Sequence, residues 1–145
     1  MKVQHLAWKL PIAFAVAAGT LVATGSPAAA ANDDHYVSNW SGNCQAGRLD
    51  FVDHGEGAPG GGTNDDYFVV RDTCANGDGV KARVYLNGVV MGSKYNGGGS
   101  GTSIIWDPFQ VYENDVVKME ICEANGPTDY LGFNCNDTTF RSIDG

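Results

Sequence analysis

The sequence predicts an all-β fold, a two-sheet antiparallel sandwich of immunoglobulin-like, Greek-key type, with a small closed barrel as the alternative. Short segments rich in Val, Ile, Tyr and Phe alternate with clusters of Gly, Asn, Asp and Pro, and no helical periodicity is seen. Glycine is frequent, with 20 residues in the chain, which disfavours long helices and favours turns. Because nothing helical is expected to cover a sheet, the sheets should cover each other.

The clearest strand covers residues 80–86, where apolar and polar residues alternate strictly. Its apolar face consists of Val80, Ala82, Val84 and Leu86, and its water-facing side of Lys81, Arg83, Tyr85 and Asn87. Asn87-Gly88 predicts a type I′ turn, after which residues 89–91 pair back as a hairpin. The other predicted strands are residues 48–53, 66–72, 102–106, 109–112, 116–123, 129–135 and 138–143, and the predicted flexible loops are 55–64, 92–101 and 124–129.

The chain is expected to divide into a signal peptide (1–31), an N-terminal arm (32–43) and a sandwich domain (44–145). Lys2 and Lys9 form a basic start, residues 10–24 form an apolar run, and small residues follow up to Ala31. A spanning helix needs about 20 apolar residues, and this run is interrupted by Gly19. We therefore expect a secreted, extracellular protein without a membrane anchor.

Acidic residues dominate the charge balance. The chain has 17 Asp and Glu against 9 Lys and Arg, a formal net charge of -8. Removal of Lys2 and Lys9 with the signal peptide changes the formal charge from -8 to −10. This balance argues against nucleic acid as a partner. No cofactor-binding motif is present, and no cofactor is expected.

All four cysteines, Cys44, Cys74, Cys122 and Cys135, follow the predicted signal peptide. An even count in a small exported domain predicts two disulfides, for which three pairings are formally open. We favour Cys44 with Cys74 and Cys122 with Cys135, because each bond then closes a modest loop between neighbouring strands. A zinc site is the competing interpretation, but the closely spaced cysteine pairs and nearby histidine that it needs are missing.

No set of side chains has the spacing and setting that catalysis needs, so we do not expect an enzyme. His54, beside Asp53, is interpreted as a histidine in a solvated turn. Ser100 lacks the strand and helix that flank a nucleophile elbow. Glu120 and Glu123 stand three residues apart on a predicted strand, so they face opposite sides and are expected to be solvent-facing charges.

The segment from residue 72 to residue 79 resembles a calcium-binding loop in its spacing of acidic residues. Cys74 occupies the second ligand position and Arg83 the position of the bidentate glutamate, so the EF-hand interpretation fails. A looser calcium site formed by Asp72, Asn76 and Asp78 stays open as an alternative. A simple turn is the favoured interpretation, and no metal site is predicted.

Aromatic residues are the remaining candidates for binding: Tyr36, Trp40 and Tyr85. Tyr85 is expected to face water beside Lys81 and Arg83, and an exposed aromatic row can stack sugar rings. In an extended arm, Tyr36 and Trp40 lie on one side, and such an arm can add as a strand to a partner's sheet. The alternative is that the arm folds back as an edge strand, with Trp40 packed on its own sandwich near Cys44.

Several segments resemble those of the small secreted single-domain β proteins of streptomycetes and other actinobacteria. The segments are the Ala-rich leader, Val69-Val70-Arg71-Asp72-Thr73-Cys74, Gly79-Val80-Lys81-Ala82-Arg83 and the ending Ser142-Ile143-Asp144-Gly145. The resemblance implies an extracellular location and provides no site residues. Most proteins of this kind have no assigned activity, and some are structural parts of extracellular toxin particles.

Together these observations predict a non-enzymatic extracellular interaction module that binds a protein or forms a structural subunit of a secreted assembly. The alternatives are a carbohydrate-binding module, whose partner is a polysaccharide, and an inhibitor of a secreted hydrolase. An exposed aromatic row would favour the first alternative, and a loop braced by a disulfide would favour the second.

Overall fold

The structure is a computed structural model that describes residues 33–54 and 65–143, so the predicted signal peptide and the whole of the predicted 55–64 loop lie outside its description. The described residues contain eight β-strands and no helix. No element among them is a helix long and apolar enough to cross a membrane. The strands are β1 (His35–Ser41), β2 (Cys44–His54), β3 (Asp65–Asp72), β4 (Gly79–Leu86), β5 (Val89–Asn96), β6 (Thr102–Trp106), β7 (Val116–Ala124) and β8 (Phe133–Arg141).

The eight strands form two antiparallel sheets, which confirms the predicted two-sheet arrangement. Sheet A has the order β1-β2-β3-β6, and sheet B has the order β5-β4-β7-β8. Across the interface, β1 contacts β8, β2 contacts β7, β3 contacts β4 and β6 contacts β5. The chain passes between the sheets after β3, β5 and β6, so each sheet combines strands that are distant in the sequence.

The core lies between the two sheets and follows the predicted alternation. Val80, Ala82 and Val84 of β4 are buried, as are the apolar residues that β7 directs to the same side. Phe68 of β3 lies at the centre, with ring centroids 5.3 Å from Phe51 and 5.6 Å from Phe109. The main buried cluster consists of Val37, Leu49, Phe51, Phe68, Val70, Val80, Ala82, Val84, Val111, Val117, Met119, Ile121 and Phe140.

At Lys81, the outer face of sheet B is covered and does not face water as the alternation predicts. Lys81 is 7% exposed, and Cys122 beside it is 2% exposed. The segment from residue 125 to residue 132, which links β7 to β8, lies over these two residues and is called the β7–β8 loop below. The prediction for Lys81 was wrong because a connecting segment covers a face that local periodicity assigns to solvent.

The predicted turn at Asn87-Gly88 is confirmed. Both residues have positive φ, 51° for Asn87 and 83° for Gly88, as a type I′ turn requires. The Asn87 side chain also donates to Asp115 Oδ1 at 2.7 Å and accepts from the backbone N–H of Val116 at 2.9 Å. The turn is therefore attached to the start of β7.

Residues 109–112 do not form the predicted strand. The segment between β6 and β7 is irregular, and Val111 is buried in the core. Its backbone N–H donates to Asp66 Oδ2 at 2.9 Å. The Asp66 carboxylate thus accepts a hydrogen bond from a backbone N–H that a strand would have directed to a neighbouring strand.

The predicted strands 129–135 and 138–143 are replaced by one strand, β8. Asn136 and Asp137 between them pair with Ile121 and Glu120 of β7, so the ladder continues through both. The start of β8 is irregular, because Asn134 has a φ of 52° and the pairing shifts between Ile121 and Glu123.

The N-terminal arm takes the second of its two predicted arrangements. Residues 35–41 form β1, an edge strand that pairs with β2 from His35↔Phe51 to Ser41↔Cys44. Val37 lies in the core. Trp40 is 57% exposed, so the expectation that its ring packs on the sandwich was wrong.

The glycine-rich segment 92–101 begins as a strand rather than as a loop. Gly92 lies within β5, opposite Val84 of β4. A Cβ atom at this position would lie 3.2 Å from Cζ2 of Trp106. The glycine therefore lets the edge of sheet A approach the edge of sheet B, which composition alone does not indicate.

Both favoured disulfides are confirmed. Cys44 is bonded to Cys74 and Cys122 to Cys135, with Cα–Cα distances of 5.9 Å and 4.1 Å. The first bond joins the start of β2 to the segment after β3, and the second links β7 to β8 across the β7–β8 loop. Two disulfides are consistent with folding in an oxidising environment.

We predict that Gly132→Ala destabilises the protein by roughly 1–3 kcal/mol. Gly132 has a φ of 63°, and an added Cβ would lie 2.7 Å from Cys122 Cβ and 2.8 Å from the Glu123 carbonyl oxygen. Gly126→Ala is the matched control, since no atom lies within 4 Å of the added Cβ, and its effect should stay within about 0.5 kcal/mol. Urea unfolding of both variants measures the difference, and equal stabilities would contradict the prediction.

Candidate functional site

The three predicted binding residues do not form one site. Tyr36 and Trp40 are on the same face of β1, the outer face of sheet A, and are 61% and 57% exposed. Tyr85 lies on the outer face of sheet B and is half-buried, with the Lys118 ammonium 5.5 Å from its ring centroid. The predicted sites therefore divide between opposite sides of the sandwich.

Two arginines and an aspartate form the centre of the outer face of sheet A. Arg48 Nε donates to Asp50 Oδ1 at 2.5 Å, and Arg71 Nε donates to Asp50 Oδ2 at 2.7 Å. The Arg48 guanidinium also lies over the Tyr36 ring, with Cζ 4.1 Å from the centroid. Asp50 is buried by these contacts, and it fixes both guanidinium groups side by side on β2 and β3.

The β7–β8 loop is held by two cationic side chains of β4. Lys81 Nζ donates to the carbonyl oxygens of Pro127 and Asp129 at 3.1 Å and 2.6 Å. Arg83 donates to the Tyr130 carbonyl oxygen at 2.5 Å and forms an ion pair with Glu120. Three backbone carbonyl groups of the loop thus accept hydrogen bonds from side chains of β4. The composition predicts the first half of this segment to be a flexible connector.

The loop also stabilises its own conformation. The Asp129 carboxylate accepts from the backbone N–H of Gly132 at 3.0 Å and from that of Asn125 at 3.3 Å. These hydrogen bonds hold the pKa of Asp129 below its ordinary value. The bond from Gly132 contributes most, and the bond from Asn125 contributes next. Together with the Cys122–Cys135 disulfide, these bonds fix the backbone at both ends of the loop.

Two apolar side chains project from the loop into solvent. Tyr130 is 83% exposed and Leu131 is 79% exposed, the highest values among the large hydrophobic residues that the structure describes. Phe133, at the start of β8, is partly exposed. Sequence reasoning missed this feature because it assigned residues 129–135 to a strand. The signal it could have used is the pair of cysteines on either side of an apolar Tyr-Leu pair.

The loops at one end of the sandwich enclose a cleft of about 350 Å³. Its lining includes four glycines, and its polar residues are Asp78, Tyr95 and Ser100. Asp72 lies at this end of β3 and is 1% exposed. Neither of its carboxylate oxygens has a hydrogen-bond partner of normal geometry within the described residues.

Burial raises the pKa of the Asp72 carboxyl above its ordinary value. The backbone N–H groups of Cys74 and Gly99 act in the opposite direction, but their effect is smaller than that of burial. Of the three residues of the alternative calcium site, Asn76 is engaged elsewhere: its side chain donates to Glu123 and accepts from the Asp78 backbone N–H. In residues 33–54 and 65–143, no group of three or more His, Cys, Asp and Glu side chains is arranged to hold a metal ion.

Glu120 and Glu123 face opposite sides of β7, as predicted, since they pair with Arg83 and Val80 of β4. The expectation that both face solvent was wrong for Glu123, which is 2% exposed. Its carboxylate accepts from the side-chain amides of Asn76 at 2.5 Å and Asn134 at 2.6 Å. Glu123 is therefore part of a hydrogen-bonded network at the end of the core rather than half of a carboxylate pair.

The outer edge of β1 is bonded to side chains of β8. Asn134 donates to the carbonyl oxygen of Trp40, and Asn136 donates to that of Ser38 at 2.8 Å. Asn39 in turn donates to the carbonyl oxygen of Asn134 at 2.9 Å. These bonds occupy acceptors that an added strand would need, so the structure does not favour strand addition at this edge.

Comparison with protein-family models, with curated proteins and with solved structures finds no match for this chain. The candidate sites therefore stand on the chain's own geometry.

We predict that rising pH lowers the stability of the parent relative to that of Asp72→Asn. A carboxyl group with a raised pKa in the folded state binds its proton more tightly there than in the unfolded chain. Its contribution is therefore most favourable below the ordinary pKa and is lost as the pH rises through and above that value. Thermal melts from about pH 3 to about pH 7 should show the Tm of the variant rising relative to the parent.

Asp78→Asn is the control for this experiment, because it removes the same charge from the rim of the cleft at a less buried position. If Asp72→Asn and Asp78→Asn show the same dependence on pH, burial of Asp72 is not its cause.

Proposed function

We propose that this protein is a secreted, non-enzymatic interaction module that binds an extracellular protein through the β7–β8 loop. The observation that carries the proposal is the exposure of Tyr130 and Leu131 on a backbone held by Lys81 and Arg83. Aromatic side chains at the centre of an interface contribute strongly to protein binding. We expect the partner to offer an apolar pocket for these two side chains.

The fixed backbone is what distinguishes this loop from an ordinary exposed segment. A flexible loop loses conformational entropy when it binds, and this loss weakens affinity. The bonds from Lys81, Arg83 and Asp129 and the disulfide at Cys122 restrict the loop before binding. Less entropy is therefore lost when a partner closes over Tyr130.

Secretion is supported by the predicted signal peptide, by the two disulfides and by the resemblance to small secreted β proteins of streptomycetes. The same loop is suited to an inhibitor of a secreted hydrolase, because a loop braced by a disulfide can fill an enzyme's specificity pocket. This alternative is a special case of the proposal, in which the partner is an enzyme.

We predict that the double variant Tyr130→Ala with Leu131→Ala weakens partner binding at least about tenfold and leaves the Tm close to that of the parent. Both side chains are exposed, so their removal costs little folding free energy. The tagged mature protein is used to capture its partner from producer culture fluid, and the affinity of the captured protein for each variant is then measured.

Tyr112→Ala is the matched control, since Tyr112 is 64% exposed and lies in the segment between β6 and β7. Retention of binding in the double variant would refute the proposal. If the captured partner is a hydrolase, its activity should fall with the parent and with Tyr112→Ala, and should persist with the double variant.

We predict that Lys81→Met also weakens binding, although the contact side chains are intact. The substitution keeps a long side chain but removes the donors to the carbonyl oxygens of Pro127 and Asp129. Limited proteolysis should then cut the β7–β8 loop faster than in the parent. Unchanged rates of cleavage and unchanged affinity would show that Lys81 does not hold the loop in its binding conformation.

A further inference from the structure

A second candidate site lies on the outer face of sheet A, on the opposite side of the molecule from the β7–β8 loop. A depression of about 180 Å³ is formed there by residues of β1, β2 and β3. Its polar side chains are those of Asp34, Tyr36, Arg48, Asp50 and Arg71, whereas the ring of the lining residue His35 stacks on Phe140 of the core. We propose that this depression binds one pyranose unit of a neutral extracellular glycan.

The arginines present hydrogen-bond donors in fixed positions. Each uses its Nε to bond Asp50, and Arg71 Nη1 donates to Ser103 Oγ at 3.3 Å. Among the described residues, no acceptor is bonded to the terminal nitrogens of Arg48. The side chains of Arg48 and Arg71 are 40% and 44% exposed, so a ligand can reach their remaining N–H groups.

Carboxylates lie in the same depression as these donors. Asp50 lies between the arginines, and Asp34, which accepts from the Asp53 backbone N–H at 3.0 Å, lies at the exposed side. The formal charges of Arg48, Arg71, Asp34 and Asp50 cancel, and the whole chain carries -8. This balance does not favour an anion. A sugar hydroxyl both donates and accepts, so it suits a surface that offers both functions.

An aromatic ring completes the recognition surface. Tyr36 is 61% exposed although Arg48 covers part of its ring, which leaves apolar ring surface for the C–H groups of a sugar. Trp40 lies on the same face of β1, four residues further along, about 13 Å away at the usual rise of a strand. A longer glycan that follows β1 therefore reaches a second exposed ring.

The test is affinity electrophoresis of the mature protein in native gels that contain xylan, laminarin, galactomannan or hydroxyethylcellulose. The parent should be retarded by at least one of these neutral polymers. Tyr36→Ala and Arg71→Gln should lower the affinity for that polymer at least about tenfold, which weakens the retardation, because each substitution removes one part of the depression. Tyr112→Ala, an exposed aromatic elsewhere on the surface, should behave as the parent. Tm values show whether each variant is folded, and the exposed position of Tyr36 makes Tyr36→Ala the decisive variant.

A polygalacturonate gel tests the alternative ligand class. Retardation by this polymer and by none of the neutral ones would overturn the proposal in favour of a site for anionic sugars. Absence of retardation in every gel, or equal retardation of parent and Tyr36→Ala, would also overturn it. The double variant Tyr130→Ala with Leu131→Ala should keep the parent's retardation, so failure of the loop proposal and failure of the glycan proposal are distinguishable.

Discussion

The ammonium group of Lys81 is buried in the outer face of sheet B, and a buried charge needs oxygen acceptors around it. The carbonyl oxygens of Pro127 and Asp129 supply them, so the β7–β8 loop must lie over β4. The position of the loop in turn buries the Cys122 side of the disulfide and brings Gly132 against it. Tyr130 and Leu131 stay exposed on this loop, and the Tyr130 ring centroid lies 5.5 Å from the Lys81 ammonium.

Polar side chains also organise the edges of the sandwich. Asn134 contacts the carbonyl oxygen of Trp40 and the carboxylate of Glu123, so it connects the edge of sheet A to the end of the core. Asn76 binds the same carboxylate from the segment after β3. A buried carboxylate such as that of Glu123 is stable only when its hydrogen bonds are made, so these contacts select one arrangement of the strands. Asp72 departs from this pattern, because its burial raises the pKa of its carboxyl more than the backbone N–H groups of Cys74 and Gly99 lower it.

The two candidate surfaces differ in the side chains that they offer to a ligand. The β7–β8 loop offers apolar side chains on a fixed backbone, which suits a protein pocket. The depression on sheet A offers fixed donors, carboxylates and an exposed ring at Tyr36, which suits a hydroxylated ligand. They lie on opposite faces of the sandwich, so one molecule has room to contact both kinds of partner. The two proposals together describe a domain that connects a protein to a glycan.

Sequence alone determined the features that depend on neighbouring residues. Alternation in residues 80–86 assigned the core face of that strand, Asn87-Gly88 assigned the turn, and the spacing of the cysteines favoured the pairing that the structure shows. It also placed Tyr36 and Trp40 on one side of their strand. Only the tertiary structure decided what covers each face and each edge. The burial of Lys81 and Glu123, the path of residues 109–112 and the meeting of Arg48, Asp50 and Arg71 all depend on segments distant in the chain, whose contacts leave no local periodicity to read.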